Sequence, residues 1–196
     1  MSSAGVQLDV APRRRLSERR ASTVQRLADA TVVELAESGS GALTVRLVAK
    51  RAGVAPATAY TYFASKEHLV AEVFWRRLNA LPERKVDKRR STVGRVTDVL
   101  MDFALSVAEE TELAAACTVA LLADDEEVRD LRGRIGAELH RRLKVAAGDD
   151  IDPTVLIALE LTTTGALLQV GTGHLGYQDL PDLLGAIAAR LLAYER

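Results

Sequence analysis

The chain carries one cysteine, Cys117, in 196 residues. A single thiol cannot build an internal disulfide framework, and it fits a reducing compartment. Proline is rare, at five residues, while alanine and leucine dominate, which favours an all-helical fold. The three histidines, His68, His140 and His174, are far apart and lack metal-ligand spacing, so no metal centre is expected. No apolar run approaches the roughly 18–20 residues that span a bilayer. The first residues lack a signal peptide's apolar core. A soluble, cytoplasmic protein with no membrane contact is expected. Gly-rich phosphate loops, H-E-x-x-H and a nucleophile elbow are all missing, so neither an enzyme nor a cofactor is expected. Asp124-Asp125-Glu126-Glu127 is the one acidic run. At a helix start its charges are better read as partners of the helix dipole than as paired catalytic carboxylates.

What the chain does have is an ordinary globular composition, 48% apolar and 27% charged, enough for one or two small domains. Its net charge of −1 hides a split. Residues 1–90 hold 17 Lys/Arg against 9 Asp/Glu, and residues 91–196 hold 9 against 18. Two solvated surfaces of opposite sign would give the same numbers. A phosphate-facing half joined to a half that stays off nucleic acid explains them better.

Residues 44–69 decide between these. Thr44 is placed to N-cap a short helix in which Val45, Val48, Ala49 and Ala52 share one face. Gly53 follows where a left-handed backbone is needed. Ala55-Pro56-Ala57-Thr58 restarts a helix, with proline in the first turn, that ends near Phe63. Ser65 caps a third helix running toward Leu81. Two short helices joined by a tight glycine turn make a helix-turn-helix. Pro56, Ala57 and Thr58 occupy the end of the second helix that enters a major groove. The Ala57 and Thr58 methyls suit thymine, and the Thr58 hydroxyl suits a base edge. Lys66, in the first turn of the next helix, is placed to hold a phosphate together with free backbone N–H groups. Thr44 is expected to do the same, assisted by Arg46; Lys50 and Arg51 could be a solvated face, but their place beside the turn favours the DNA backbone.

The same stretch, TVRLVAKRAGVAPATAYTYFASKEHL, resembles the DNA-binding segment of TetR-type transcriptional regulators, whose pattern reads roughly TVRDIAxxAGVSxxTxYxYFxSKExL. Three positions depart from it: Leu47 stands for a usual Asp, Ala55 for a usual capping Ser, and Thr61 where a basic residue is common. The resemblance implies an all-α architecture of nine helices. It comprises an N-terminal three-helix head that binds DNA and a C-terminal helical domain for ligand binding and dimerisation. It implies that Tyr60 packs near bases or sugar and that Tyr62 gives its hydroxyl to a phosphate. A half-buried Tyr60 closing the head is the plainer alternative.

The expected division is a basic arm over 1–15, the head over 16–64, a linking helix and charged connector over 65–90, and the C-terminal domain over 91–196. Residues 1–15, with Arg13-Arg14-Arg15, are expected to be disordered, either lying along DNA or merely solubilising. A first helix over 17–38 ends at Gly39 and Gly41, and Arg19, Arg20 and Arg26 can face phosphates. Further helices are expected to about Glu109, over 112–123, to about Ala147, from Asp152-Pro153 to the glycines near 171, and over 180–194. By resemblance, a ligand pocket is sought among Trp75, Met101, Phe103, Leu105, Cys117, Leu121, His140 and Gln169. Most of such a set is plain core, and its apolar wall suits a hydrophobic or amphipathic small molecule. Small residues near Gly165 and Gly185, with Leu161, Leu168, Leu184, Ile187 and Leu191, suit either intrachain core or a homodimer interface. In the resembling family two such helices meet their symmetry mates as a four-helix bundle.

The reading these features support is a homodimeric repressor of a near-palindromic double-stranded DNA operator, released by a small effector. Two alternatives stay open. One is a regulator without an effector. The other is a helical small-molecule binding protein or enzyme with a vestigial DNA-binding module.

Overall fold

Small polar residues open most of the helices. Thr44 Oγ1 accepts the Leu47 N–H at 3.1 Å, Ser65 Oγ that of His68 at 2.9 Å, and Ser91 Oγ that of Gly94 at 3.1 Å. Asp125 Oδ1 accepts from Val128 at 2.7 Å and Asp152 Oδ1 from Thr154 at 2.6 Å. Each cap satisfies a donor that the helix leaves orphaned. The computed structural model describes residues 10–193. Among them stand nine α-helices: α1 (Val10–Ala42), α2 (Val45–Arg51), α3 (Pro56–Tyr60), α4 (Lys66–Asn79), α5 (Thr92–Ala104), α6 (Thr111–Ala120), α7 (Glu126–Ala147), α8 (Pro153–Gly171) and α9 (Leu180–Ala193). A single 3-10 turn, Tyr177–Asp179, feeds α9, and the described residues hold no strand. The all-α architecture is as expected.

Several boundaries differ from the expectation. The backbone is already helical at Val10, so Arg13, Arg14 and Arg15 belong to α1. Arginine, leucine and alanine favour a helix, and Pro12 in the first turn does no harm. The part of the basic arm before Val10 lies outside the described residues. Gly39 interrupts α1 with a φ of +71°, a region that glycine enters without steric cost, and the chain bends there. α3 stops at Tyr60, short of Phe63, because the Thr61 hydroxyl donates to the Thr58 carbonyl at 2.6 Å and closes a tight turn. α5 stops at Ala104 for a similar reason: Ser106 Oγ donates to the Phe103 carbonyl at 2.8 Å. Before α9 the Asp179 carboxylate accepts the Gly176 N–H at 3.0 Å and ties the turn.

One apolar core runs through the molecule. Leu27, Leu35, Val48, Ala59, Phe63, Leu69 and Leu78 fill it at the N-terminal end. Phe103, Leu113, Leu143, Leu159 and Leu184 continue it among the later helices. A second small cluster, Ala71, Val128 and Leu131, is covered by Trp75 and Leu121 and seals α4 against α7. α8 is the apolar exception: 19 residues of mean hydropathy 1.4, with 22% of that stretch buried. By length and mean composition it is apolar enough to cross a membrane. Its apolar residues are interspersed with Glu160 and Thr162–Thr164, so they form no unbroken run.

Candidate nucleic-acid interface

Only Ala59 of the five residues in α3 is buried, and it faces the core. Pro56, Ala57 and Thr58 are exposed together on the first turn, and Tyr60 is 53% exposed beside them. The turn into α3 holds its shape through Gly53, whose φ of +63° would strain a residue carrying a Cβ. Ala55 supplies no side-chain cap, so the usual serine has no replacement here. The helix starts on proline, which has no N–H to satisfy.

Around this turn the expected phosphate partners are spread over three helices. Thr44 caps α2 through its oxygen and keeps its O–H to donate outward. Arg46 and Lys50 are exposed and meet no carboxylate among the described residues. Lys66 is half-buried and donates to the Ser40 carbonyl at 3.3 Å. Tyr62 is half-buried against the core, and Phe63 is core, packing edge-on against His68 at 5.2 Å. Arg19, Arg20 and Arg26 line the exposed side of α1.

Arg51 corrects the reading that set it toward DNA. Its Nε donates to Glu34 Oε2 at 2.5 Å, and a second guanidinium nitrogen bonds Glu37. Glu34 is 4% exposed, so Arg51 braces α2 against α1. The Arg51 guanidinium holds the Glu34 carboxyl below the usual carboxylate range, and Ser38 adds a weaker hydrogen bond.

A short helix pair with an exposed reading turn, flanked by hydroxyls and by cations that meet no carboxylate among the described residues, suits duplex DNA. The comparisons agree. The family model described as "Bacterial regulatory proteins, tetR family" matches residues 27–73, which include α2, α3 and the turn between them. An uncharacterized HTH-type transcriptional regulator of Mycobacterium tuberculosis (strain H37Rv) is 45% identical over 179 residues, 90% of this chain and 84% of the relative. The chain belongs to the TetR family of transcriptional regulators. The HTH-type transcriptional repressor KstR of Rhodococcus jostii is 30% identical over 131 residues, 66% of this chain and 61% of that relative. A TetR transcriptional regulator from Rhodococcus sp. RHA1 shares the fold, with a TM-score of 0.72 at 24% identity over 86% of this chain and 96% of that one.

The C-terminal helices of this TetR-family regulator scatter the expected pocket residues. Phe103 and Cys117 are core, and Met101 and Leu121 are half-buried against it. Trp75 sits on the α4–α7 seam, with the Arg134 guanidinium 4.6 Å from its ring centre. Leu105, His140 and Gln169 are at the surface and line no interior of the protomer. His140 instead pairs with Glu160 across α7 and α8 at 2.7 Å. Burial, and to a lesser degree Glu110, pushes the Cys117 thiol up to about 12, so it is no thiolate at neutral pH.

Of the expected interface residues, Leu161, Gly165 and Leu168 are exposed along α8, while Ile187 and Leu191 on α9 are half-buried. Leu184 is a correction: it is 0% exposed and packs inside the protomer, on the opposite side of α9 from its exposed residues.

Glu110 was not singled out in the sequence. Arg77 of α4 donates to its Oε1 at 2.5 Å, while its Oε2 is buried without a hydrogen-bond partner among the described residues. Its place just before α6 gives no periodicity signal. A cleft of about 230 Å³ also opens where the connector after α4 meets α5 and α7. Its walls are charged, and the charges satisfy one another. Arg84 pairs with Asp102 at 2.5 Å, Arg141 with Glu83 at 2.5 Å, and Arg90 with Asp98.

Proposed function

We propose that this regulator is a homodimeric, cytoplasmic repressor, without catalytic activity, that grips a near-palindromic operator and leaves it when a small apolar or amphipathic effector binds. The observation that carries the DNA half is the exposed turn Pro56-Ala57-Thr58, preceded in the chain by exposed Arg46 and Lys50, which meet no carboxylate among the described residues, and followed by Lys66 at the start of α4. Ala57, Thr58 and Tyr60 read the groove. Thr44, Arg46, Tyr62 and Lys66 hold phosphates. The head spans 16–64, residues 65–90 link, and 91–196 hold the effector and the partner subunit.

The exposed apolar stripe on α8 supports pairing. Ile157, Leu161 and Leu168 are 52%, 68% and 44% exposed at helical spacing. Leaving such a stripe in water is unfavourable by about 25 cal/mol per Å² of apolar surface. A two-fold partner that covers it would set two reading heads roughly 34 Å apart on one face of the duplex. The unpartnered Glu110 oxygen supports the effector half: a buried acceptor without a donor is costly, and a ligand hydroxyl or amide would satisfy it. Because Glu110 also holds Arg77 of α4, a ligand there acts on the linking helix directly. Release follows only if the effector binds the DNA-free arrangement more tightly.

The deciding experiment is gel-shift titration of the full chain against fragments flanking its own coding region, at physiological salt, with light scattering for its mass. Tight binding by a dimer to one inverted repeat is expected. A monomer, or affinity no better than for random duplex, would overturn the reading.

A further inference from the structure

α4 and α7 lie side by side in a fixed register. Ser65 meets Asp125, Trp75 meets Arg134 and Pro82 meets Arg142, so partners stand 59 or 60 positions apart along the whole seam. Start meets start and end meets end, so the two helices run parallel. Seventeen positions separate Ser65 from Pro82, and the same number separate Asp125 from Arg142, about 25 Å at the helical rise.

Both ends of the seam are tied. At the first end two helix caps are hydrogen-bonded to each other. Ser65 Oγ accepts the His68 N–H and donates its own proton to Asp125 Oδ2 at 2.8 Å. The other carboxylate oxygen, Oδ1, accepts the Val128 N–H that opens α7. At the far end Arg142 is 7% exposed and grips the carbonyls that follow α4. It donates to Pro82 O at 3.0 Å and Leu81 O at 3.1 Å, while Glu138 accepts its Nε at 2.6 Å. These carbonyls lie just past the end of α4, where a cation also complements the helix dipole. Between the ties, Ala71, Val128, Leu131 and Trp75 close an apolar strip.

We propose that Asp125 and Arg142 are positioning residues for operator binding: they lock α4 onto α7, so that the reading head, α4 and α7 move as one body. Asp125 bonds the cap of α4 and Arg142 the carbonyls that follow it, so each acts through α4. The angle of the head then follows α7, together with α6, which packs on both α1 and α4. The proposal rests on the operator reading for its functional half only.

The test uses the full chain in two assays. Asp125→Ser keeps a cap for α7 but is too short to reach Ser65, and Arg142→Lys removes the fork that grips two carbonyls. Asp125→Asn keeps the tie, since its amide oxygen caps α7 and its N–H₂ can donate to Ser65 Oγ. Spin labels at exposed positions 50 and 137, in a Cys117→Ala background, report the head-to-α7 distance without DNA. Operator affinity is measured on unlabelled protein, and circular dichroism verifies that each variant stays helical. Asp125→Ser with Arg142→Lys should broaden the distance distribution. It should also weaken operator binding by on the order of tenfold, the scale of one hydrogen bond to a charged group. The salt slope should stay unchanged, because no phosphate contact is lost. Asp125→Asn should behave as the parent does in both assays. If the combined variant misfolds, Asp125→Ser alone is read the same way. A distribution as narrow as the parent's overturns the lock. A broad one with parental affinity, or a changed salt slope, overturns the positioning role. If the parent binds no operator, the operator reading fails, while the distance measurement still decides the lock.

Discussion

Arg51 and Glu34 form an ion pair at 2.5 Å that ties the last turn of α2 to the middle of α1, with Glu34 almost wholly buried. Its neighbour Lys50 is exposed and meets no carboxylate among the described residues. Two adjacent cations in one sequence therefore differ: one braces the fold, and the other is open to solvent. Arg51→Met leaves a buried carboxylate without its counter-charge, so the melting temperature should fall while the salt dependence of DNA binding stays. Lys50→Ala should leave melting unchanged and lower the salt slope by about one unit. The pair also sets a pH signature. Glu34 is held below its ordinary value, so its contribution is complete above the unfolded carboxylate range. It is lost as pH falls through the lowered folded value. The stability gap between parent and Arg51→Met should therefore narrow on acidification. A gap independent of pH down to the onset of unfolding would contradict the assignment.

Lys66 and Thr58 separate affinity from specificity. Lys66→Ala removes a phosphate partner, so binding to every duplex should weaken alike, again with the slope reduced by about one unit. Thr58→Ala removes a hydroxyl from the reading turn and leaves the charges intact. It should relax preference at one base step per half-site, by roughly 1–3 kcal/mol. Binding measured against a set of single-step operator variants distinguishes them, and identical profiles for the two mutants would remove both roles.

The reading turn was legible because its signals are local. Thr44, Gly53, Pro56 and Ser65 each state a backbone conformation by their own chemistry, and all four act as their types require. Family resemblance then supplied the roles of Tyr60 and Tyr62. What stayed hidden depends on partners distant in the chain. Arg51 reads as one more cation in a basic half until Glu34 is found beside it, seventeen positions earlier. Asp125 reads as one of four acids at a helix start until Ser65 is found bonded to it across sixty positions. Leu184 and Leu191 lie seven apart, and periodicity puts them on one face of α9. Only the packing of α5 and α8 shows that the first is fully enclosed and the second is not. The helical start of α1 was missed because a run of arginines is equally good as a solvated tail and as a helix.

Glu138 offers a second pH-dependent test, away from DNA. Arg141 foremost, and Arg142 after it, hold its carboxyl down at about 2, against the desolvation that opposes them. The folded value lies below the unfolded one, so this carboxylate stabilises the chain fully above about pH 4.5 and loses its contribution as pH falls toward about 2. Glu138→Gln should cost on the order of 1–2 kcal/mol at pH 7, part of the attraction being screened by solvent at Arg141. The cost should shrink across that acid window. Urea unfolding of both proteins at matched pH values measures it, and a cost that grows on acidification would reverse the sign of the argument.

Leu161 and Leu184 decide the oligomer. Leu161 is 68% exposed on α8, and Leu184 is 0% exposed on α9. Leu161→Glu should leave the protomer's melting in place and place a charge in the middle of the proposed dimer seam, where an unpaired buried ion is strongly unfavourable. Sedimentation should then show a monomer at micromolar concentration, and affinity for a full inverted repeat should fall to that for a single half-site. Leu184→Ala should do the reverse. It opens a cavity in the core and lowers stability by about 2–5 kcal/mol. Whatever chain remains folded should still dimerise, because the exposed face of α8 is untouched. A Leu161→Glu protein that sediments as a dimer would move the seam off α8, and the apolar stripe of Ile157, Leu161 and Leu168 would then have to face a different occupant.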